Sequence, residues 1–557
     1  MNRRAVALCG IAAAVAGTVS AVPYSTTATA VAPASAPALR ATAISTPTTG
    51  PRAAAAPGPA AQAAPGTTTL TWRKCPTDSY PTLQCASVRV PLDHDHPGGR
   101  QITLALSRVP HTAPASSFQG PLLVNPGGPG GSGLRLAGFV AAALPKDVAA
   151  RYDVIGFDPR GVGKSTPALD CRAGHFAPVR PPSVPDGTAV EEANLTRARD
   201  FARACGAKYA DVLPYLDTTS AARDMDVIRR ALGAPKINYF GYSYGTYLGA
   251  VYGKLYPHRV RRMVLDSMVD PTGVWYTDNL AQDYAFNARQ EAFFAWVAKN
   301  ATTYRLGTDP AKVAAAWYAM RDAVRRAPAG GKVGAAELED TFLPGGYYNG
   351  YWPDLAAAFA AYVVDRNPQP LVTAFSELGA VDAAGDNGYS VYTAVQCRDA
   401  AWPRDWQTWR DDNGRAHAKA PFSTWNNAWY NAPCAFWPVP AAGPVDIATD
   451  ALPPVLLFQA TDDAATPYEG GITVHGKLGA SRLVVEQGGG NHGVTLSGNT
   501  CLDSHLTAYL ASGKLPRART GATVDAVCPR LPDPEPQSTK STSARGAALH
   551  RMLGFRP

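Results

Sequence analysis

Short apolar runs alternate with helical stretches over most of this chain. Residues 102–109 alternate apolar and polar side chains, the pattern of a strand with one buried face. The runs at 121–124, 152–157, 237–240, 263–265, 455–458 and 483–485 differ: they are continuous, rich in Val, Ile and Leu, and bounded by Gly, Pro or Asp. Continuous apolar strands alternating with helices predict a mostly parallel sheet covered by helices on both faces. One crossover helix is legible. Met225, Ile228 and Leu232 share a face, Thr218 or Thr219 can cap its start, and Gly233 follows its end. Between Asp270 and Ala451 the rhythm fails over about 180 residues, far more than a crossover needs. This stretch is rich in Trp, Tyr and Ala, with helical patterning around 287–298 and 309–325. An insertion between two core strands, at the end where ligands bind, predicts a lid or cap; a second independent domain is the alternative.

Composition changes the picture mainly at the ends. Residues 22–67 are dominated by Ala, Pro and Thr, bury too little apolar surface to fold, and read as a linker or removable pro-segment. Before them, Arg3 and Arg4 precede an apolar run over 5–19 that is too short for a comfortable membrane span. This predicts an export signal over 1–21, cleaved after Val19-Ser-Ala21, with Ala28-Thr-Ala30 and Ala34-Ser-Ala36 as alternatives up to 36. No later segment approaches about 18 unbroken apolar residues, so the expectation is a secreted or wall-associated monomer without stable membrane insertion. The predicted division is then 68–270 for the first part of the core, 271–450 for the cap, 451–530 for the rest of the core and 531–557 for a flexible tail.

Removal of Cys9 with the signal leaves Cys75, Cys85, Cys171, Cys205, Cys397, Cys434, Cys501 and Cys528. An even number in an exported chain favours disulfides, most simply between sequence neighbours, and no Cys-x-x-Cys pair points to zinc. A net charge of +8 is modest for 557 residues and partly reflects a basic tail. No basic helix or aromatic–basic interleaving suggests nucleic acid.

The chemistry centres on Gly241-x-Ser243-x-Gly245, between an apolar strand-like run and a helix-like run ending near Pro257. A serine on so sharp a turn exposes its hydroxyl, and only glycines fit the crowded flanks. Serine needs a base, and the base an acid to fix its tautomer. His492 follows a strand candidate in Gly488-Gly-Gly-Asn-His492-Gly, and Asp463 follows another in Asp463-Ala-Ala-Thr-Pro467, with Asp462 its rival. The order Ser243, Asp463, His492 is that of α/β-hydrolases. An oxyanion needs two backbone N–H donors. Tyr244 is one candidate; Gly128, with Gly127 as the alternative, is the other, in the turn Asn125-Pro-Gly-Gly-Pro-Gly-Gly-Ser-Gly133. Gly161-Val-Gly-Lys-Ser165 ends like a phosphate-binding loop, but Asp158 stands where its first glycine belongs. His94 and His96 have no further ligand cluster nearby and read as an exposed turn. No metal and no cofactor are expected.

With these residues in place, the chain resembles the secreted tripeptidyl aminopeptidases of actinomycetes, in the proline iminopeptidase-like family of α/β-hydrolase serine peptidases. The likeness rests on Cys85-Ala-x-Val-x-Val-Pro-Leu-Asp93, the 125–133 turn, Asp158-Pro-Arg-Gly-Val-Gly163, Gly241-Tyr-Ser-Tyr-Gly-Thr-Tyr247 and the turn at 463–467, over roughly 70–530. Asn491 departs from the small residue common there. The resemblance implies Ser243, Asp463 and His492 as the triad, the insertion as a helical cap, and peptide substrates with a free N-terminus. A free amino group asks for carboxylates. Glu291, Glu337, Glu339, Asp354 and Asp399 lie in the insertion, but all read as ordinary surface charges, and the amino-group site stays unknown. A carboxylesterase uses the same machinery and is the rival activity; a wall-associated binding protein on a dead hydrolase scaffold is the non-enzymatic one.

Overall fold

The computed structural model describes residues 70–554 except 78, 520, 522 and 537–543. The export signal and the Ala/Pro/Thr-rich segment read at 1–67 lie outside the described residues. Ten strands form one sheet: β1 (Arg73–Lys74), β2 (Gln84–Pro91), β3 (Gln101–Val109), β4 (Pro121–Asn125), β5 (Asp153–Phe157), β6 (Ile237–Tyr242), β7 (Val260–Asp266), β8 (Val455–Ala460), β9 (Arg482–Gln487) and β10 (Ala526–Pro529). Their spatial order is β1-β2-β3-β5-β4-β6-β7-β8-β9-β10. The first four are antiparallel to one another, and every pairing from β5 to β10 is parallel.

The two-sided burial of the parallel strands explains their unbroken apolar runs. Leu123, Ile155, Tyr239, Leu265, Leu457 and Val485 face one core with the helices Thr218–Ala231 and Tyr244–Leu255. Their neighbours Leu122, Val154, Phe240, Val264, Leu456 and Val484 face the other, with the helices Leu134–Ala143 and Thr500–Ser512. The side-chain period of two thus divides each run between two cores.

Adjacent strands β7 and β8 are separated in sequence by a helical excursion, which includes Tyr276–Lys299, Pro310–Arg326, Trp352–Val363 and Ala383–Asp399. It builds a third core around Phe293, Trp317, Phe342, Trp352 and Phe359. Ala464 and Ala465, directly after β8, belong to that same core, so the turn bearing Asp463 packs against the insertion.

The four disulfides join sequence neighbours: Cys75–Cys85, Cys171–Cys205, Cys397–Cys434 and Cys501–Cys528. Among the described residues no helix is long and apolar enough to cross a membrane.

Three sequence expectations need correction. Asp217, not Thr218 or Thr219, caps the crossover helix, accepting from Ser220 N at 2.7 Å, because Thr218 Oγ1 is drawn off by Asp399. His94 is not in an exposed turn: its Nε2 meets Asp224 Oδ1 at 2.8 Å, the carboxylate that also holds buried Arg160 through Nε (2.8 Å) and Nη2 (2.7 Å). Within the tail read as flexible, Ala544–Leu553 is a helix whose Leu549 and His550 are buried.

Candidate active site

β6 ends at Tyr242, and the helix Tyr244–Leu255 starts immediately after Ser243. The serine takes φ 56° and ψ −131°, a conformation held against its Cβ. Crowding explains the flanking glycines: a Cβ at Gly241 would lie 2.4 Å from Gly245 O, and one at Gly245 would lie 2.8 Å from Asn125 Oδ1. Ser243 N donates to Asp266 O at the end of β7 (3.0 Å), which ties the elbow to the neighbouring strand.

Asp463 follows β8 and is 2% exposed; its Oδ1 accepts from Ala465 N and Thr466 N, each at 3.0 Å. His492 Nδ1 lies 2.9 Å from Asp463 Oδ2 and 3.0 Å from Oδ1. A carboxylate only accepts, so Nδ1 carries the proton and Nε2 keeps its lone pair, the tautomer a general base needs. Asp462 is exposed and makes no hydrogen bond to His492 among the described residues. The insertion helps hold the histidine: His492 N donates to Tyr347 O at 2.8 Å, and the Tyr347 ring stands edge-on to the imidazole at 5.6 Å. Asn491 Oδ1 accepts from Asn349 N at 3.0 Å, so the departure at that position adds a clasp to the insertion.

The glycine-rich turn after β4 lies directly on the elbow. A Cβ at Gly127 would come within 2.7 Å of Tyr242 O, 2.8 Å of Ser243 Cβ and 3.0 Å of Tyr244 N. Gly127 N already donates to Asn125 Oδ1 at 2.9 Å, which corrects its place as an alternative oxyanion donor; its contribution is the space it leaves. Gly128 lines a cavity of about 340 Å³ together with Ser243, Tyr244, Thr466 and Tyr347. Tyr244 N is among the first N–H groups of its helix, which have no acceptor within it. Tyr244 is anchored at its far end as well: its hydroxyl meets Thr218 Oγ1 at 2.8 Å, and Thr218 N and Oγ1 donate to Asp399 at 2.7 and 2.6 Å.

The acids named from sequence are corrected here. Glu337, Glu339 and Asp399 are not surface charges but buried. Glu337 meets Arg180 at 2.9 Å and Glu339 meets Arg321 at 3.2 Å. None of the five lines the cavity with Ser243; Asp270, Asp278 and Glu469 do. Burial, and then the nearby Asp270 carboxylate, push Asp278 up to about 8, and its Oδ2 has no hydrogen-bond partner. Sequence reasoning passed over Asp278 because an acid in the first turn of a helix is ordinary there.

The profile described as alpha/beta hydrolase fold matches residues 120–494. This chain belongs to the alpha/beta hydrolase fold family. Within the family it is 45% identical to a tripeptidyl aminopeptidase of Streptomyces lividans, over 80% of this chain and 84% of that one. It is 34% identical to the serine protease Hip1 of Mycobacterium tuberculosis H37Rv, over 78% of this chain and 86% of the relative. At the same identity it matches carboxylesterase B of that organism, over 80% of this chain and 88% of the relative. In this hydrolase the elbow after β6 packs against the 125–133 turn, and the Asp463–His492 pair is carried by the loops that follow β8 and β9.

Proposed function

We propose that this chain is an exported serine aminopeptidase that releases short units, of tripeptide type, from free peptide N-termini. Ser243 Oγ attacks the scissile carbonyl carbon while His492 Nε2 takes the hydroxyl proton. The carbonyl oxygen becomes an oxyanion held by the N–H groups of Tyr244 and Gly128. Asp463 keeps the imidazole in the right tautomer and offsets its positive charge. His492 then passes the proton to the leaving nitrogen, the C–N bond breaks, and the acyl group stays on Ser243. Water attacks that ester with His492 again as base, and the proton returns to Ser243. Residues 68–270 and 451–530 act as core in this reading, and 271–450 as the cap that closes over the substrate.

The observation that carries the peptidase reading over an esterase is half-buried Asp278, whose inner oxygen Oδ2 is buried and unpartnered, in the same cavity as Ser243. An ester has no cation to offer it. A peptide α-ammonium does, and a charge-assisted hydrogen bond offsets the burial of both groups. The 45% identity to a tripeptidyl aminopeptidase supports the same choice. Four disulfides fit an oxidising compartment and hence secretion. The test compares a tripeptide amide with its N-acetylated form and reads products by mass spectrometry. The reading expects cleavage of the free form alone, and loss of fluorophosphonate labelling in Ser243→Ala. Equal cleavage of both forms would return the assignment to an esterase-like hydrolase.

A further inference from the structure

Two residues at the end of β7, Asp266 and Ser267, touch both halves of the catalytic geometry without lining the cavity that holds Ser243. Both side chains are fully buried. From its main chain, Asp266 O accepts Ser243 N at 3.0 Å. From its side chain, Oδ1 accepts Val494 N at 3.0 Å and Oδ2 accepts Thr495 N at 2.8 Å, with Thr495 Oγ1 donating to Oδ2 as well. Ser267 has φ 61°; its Oγ accepts Gly493 N at 2.8 Å and donates to Asp266 Oδ1 at 3.1 Å. The three consecutive N–H groups that follow His492 are thus all taken by this one dipeptide. Ser267 N donates to Phe458 O on β8 at 2.9 Å, which anchors the dipeptide between two strands.

The partners of the Asp266 carboxylate named here are all neutral N–H and O–H groups. Burying a carboxylate among neutral donors is a costly way to hold a loop, when an asparagine or a turn would satisfy fewer groups at lower cost. Its advantage is geometric, because the Asp266 backbone is fixed between β6 and β8 and its two oxygens then leave the 494–495 backbone one position. His492 precedes that clamped segment directly, and its Nδ1 is already fixed by Asp463. The imidazole is therefore held from two sides, by Asp463 on its ring and, two and three residues on, by Asp266 on the backbone that follows it.

We propose that Asp266 and Ser267 are positioning residues, a single latch that sets the His492 loop and the Ser243 elbow in mutual register. This rests on the reading of Ser243 and His492 as nucleophile and base. A latch acts on alignment, so its loss lowers kcat and the reactivity of Ser243 while substrate affinity stays in place.

The experiment uses the full chain with Asp266→Asn, Ser267→Ala, Thr495→Val and Thr495→Ser, on an unblocked tripeptide anilide and a fluorophosphonate probe. Thr495→Val keeps the shape and removes one donor; Thr495→Ser keeps the donor. In Asp266→Asn and Thr495→Val, kcat and the labelling rate should fall together by about 10- to 100-fold, with KM within about twofold, as expected for misalignment of reacting groups. Thr495→Ser should restore most of the rate. Should Asp266→Asn fail to fold, Thr495→Val and Ser267→Ala carry the comparison. The latch is overturned if folded variants keep the wild-type kcat, if KM rises while kcat holds, or if Thr495→Ser is as slow as Thr495→Val. Retained labelling in Ser243→Ala would instead overturn the functional reading itself, so the two failures are told apart.

Discussion

The elbow should cost the fold stability, and the cost can be measured by removing the Cβ of its serine. Ser243 sits at φ 56°, ψ −131°, where a non-glycine residue carries strain of about 1–3 kcal/mol. Ser243→Ala removes the hydroxyl but keeps the Cβ and its strain. Ser243→Gly removes both, and loses about 0.4–1 kcal/mol through the larger freedom of glycine in the unfolded chain. The difference predicts the glycine variant to be more stable than the alanine variant by about 1 kcal/mol, and by up to about 2.5. Unfolding entropy in a fold this long is about 1 kcal/mol per degree, so the shift in Tm is about 1–2 °C, within reach of differential scanning calorimetry under non-oxidising, non-reducing buffer. Both variants should be inactive. A glycine variant no more stable than the alanine variant would refute the claim that the serine is held in a strained turn.

Three further outcomes follow from the geometry. Gly127→Ala places a methyl group within 3.0 Å of Tyr244 N at φ +97°, and should lower kcat by about 100-fold, the scale of a lost oxyanion donor, in steady-state assays. Asp278→Asn should raise KM for an unblocked tripeptide amide by about tenfold or more while hydrolysis of a small neutral ester is kept, since only the amino group loses its partner. Burial holds His550 down at about 3, so this residue is neutral in the fold and charges on unfolding. Its contribution is present above about 6.5 and is lost as pH falls toward 3. His550→Phe, which keeps the stack on Tyr348, should therefore gain about 2 kcal/mol relative to wild type at pH 5 compared with pH 8, read from unfolding curves at both.

The parallel strands were legible because a strand buried on both faces writes its position as an unbroken apolar run. The elbow, the acid turn and the histidine loop were legible because each follows such a run. β2 escaped because only Val88 and Val90 are buried in it, and a strand with one thin apolar stripe looks like a loop. β10 has only Ala526–Pro529 to show. The cap of the crossover helix was misread by one residue because tertiary contact with Asp399 recruits Thr218, and no local pattern announces a partner on a distant helix. Of the buried hydrophobic side chains of the tail helix Ala544–Leu553, Leu549 and Leu553 meet the loop after His492. Its short apolar face carries too little periodicity to separate it from a polar tail. Acids were the hardest residues to place. Glu337, Asp354 and Asp278 look alike in sequence, and only packing decides which is paired, exposed or turned into the cavity.

Four carboxyl groups near the catalytic loops are pushed upward by desolvation first: Asp266 to about 6, Asp399 and Glu486 to about 7, and half-buried Asp278 to about 8. The first three have donors that account for their being buried. Asp266 takes the 494–495 backbone, Asp399 takes Thr218 and, at 3.3 Å, Trp275 Nε1, and Glu486 takes Asn499 Nδ2 at 2.7 Å. The hydrogen bonds named for these three all come from neutral groups, with the Arg530 charge acting on Glu486 as well. Asp278 differs in kind, because one oxygen has no hydrogen-bond partner and the residue lines the cavity beside Ser243. A buried polar group left unsatisfied costs about 1–3 kcal/mol, and more when charged, so its retention calls for a partner that arrives from outside. A substrate ammonium supplies the donors and the charge together. On binding it would pull Asp278 back toward the ordinary carboxylate range, so the cavity would take up a cation and release a proton. Proton release on binding an unblocked, uncleaved tripeptide analogue to Ser243→Ala, absent with its N-acetylated form, follows from that difference alone.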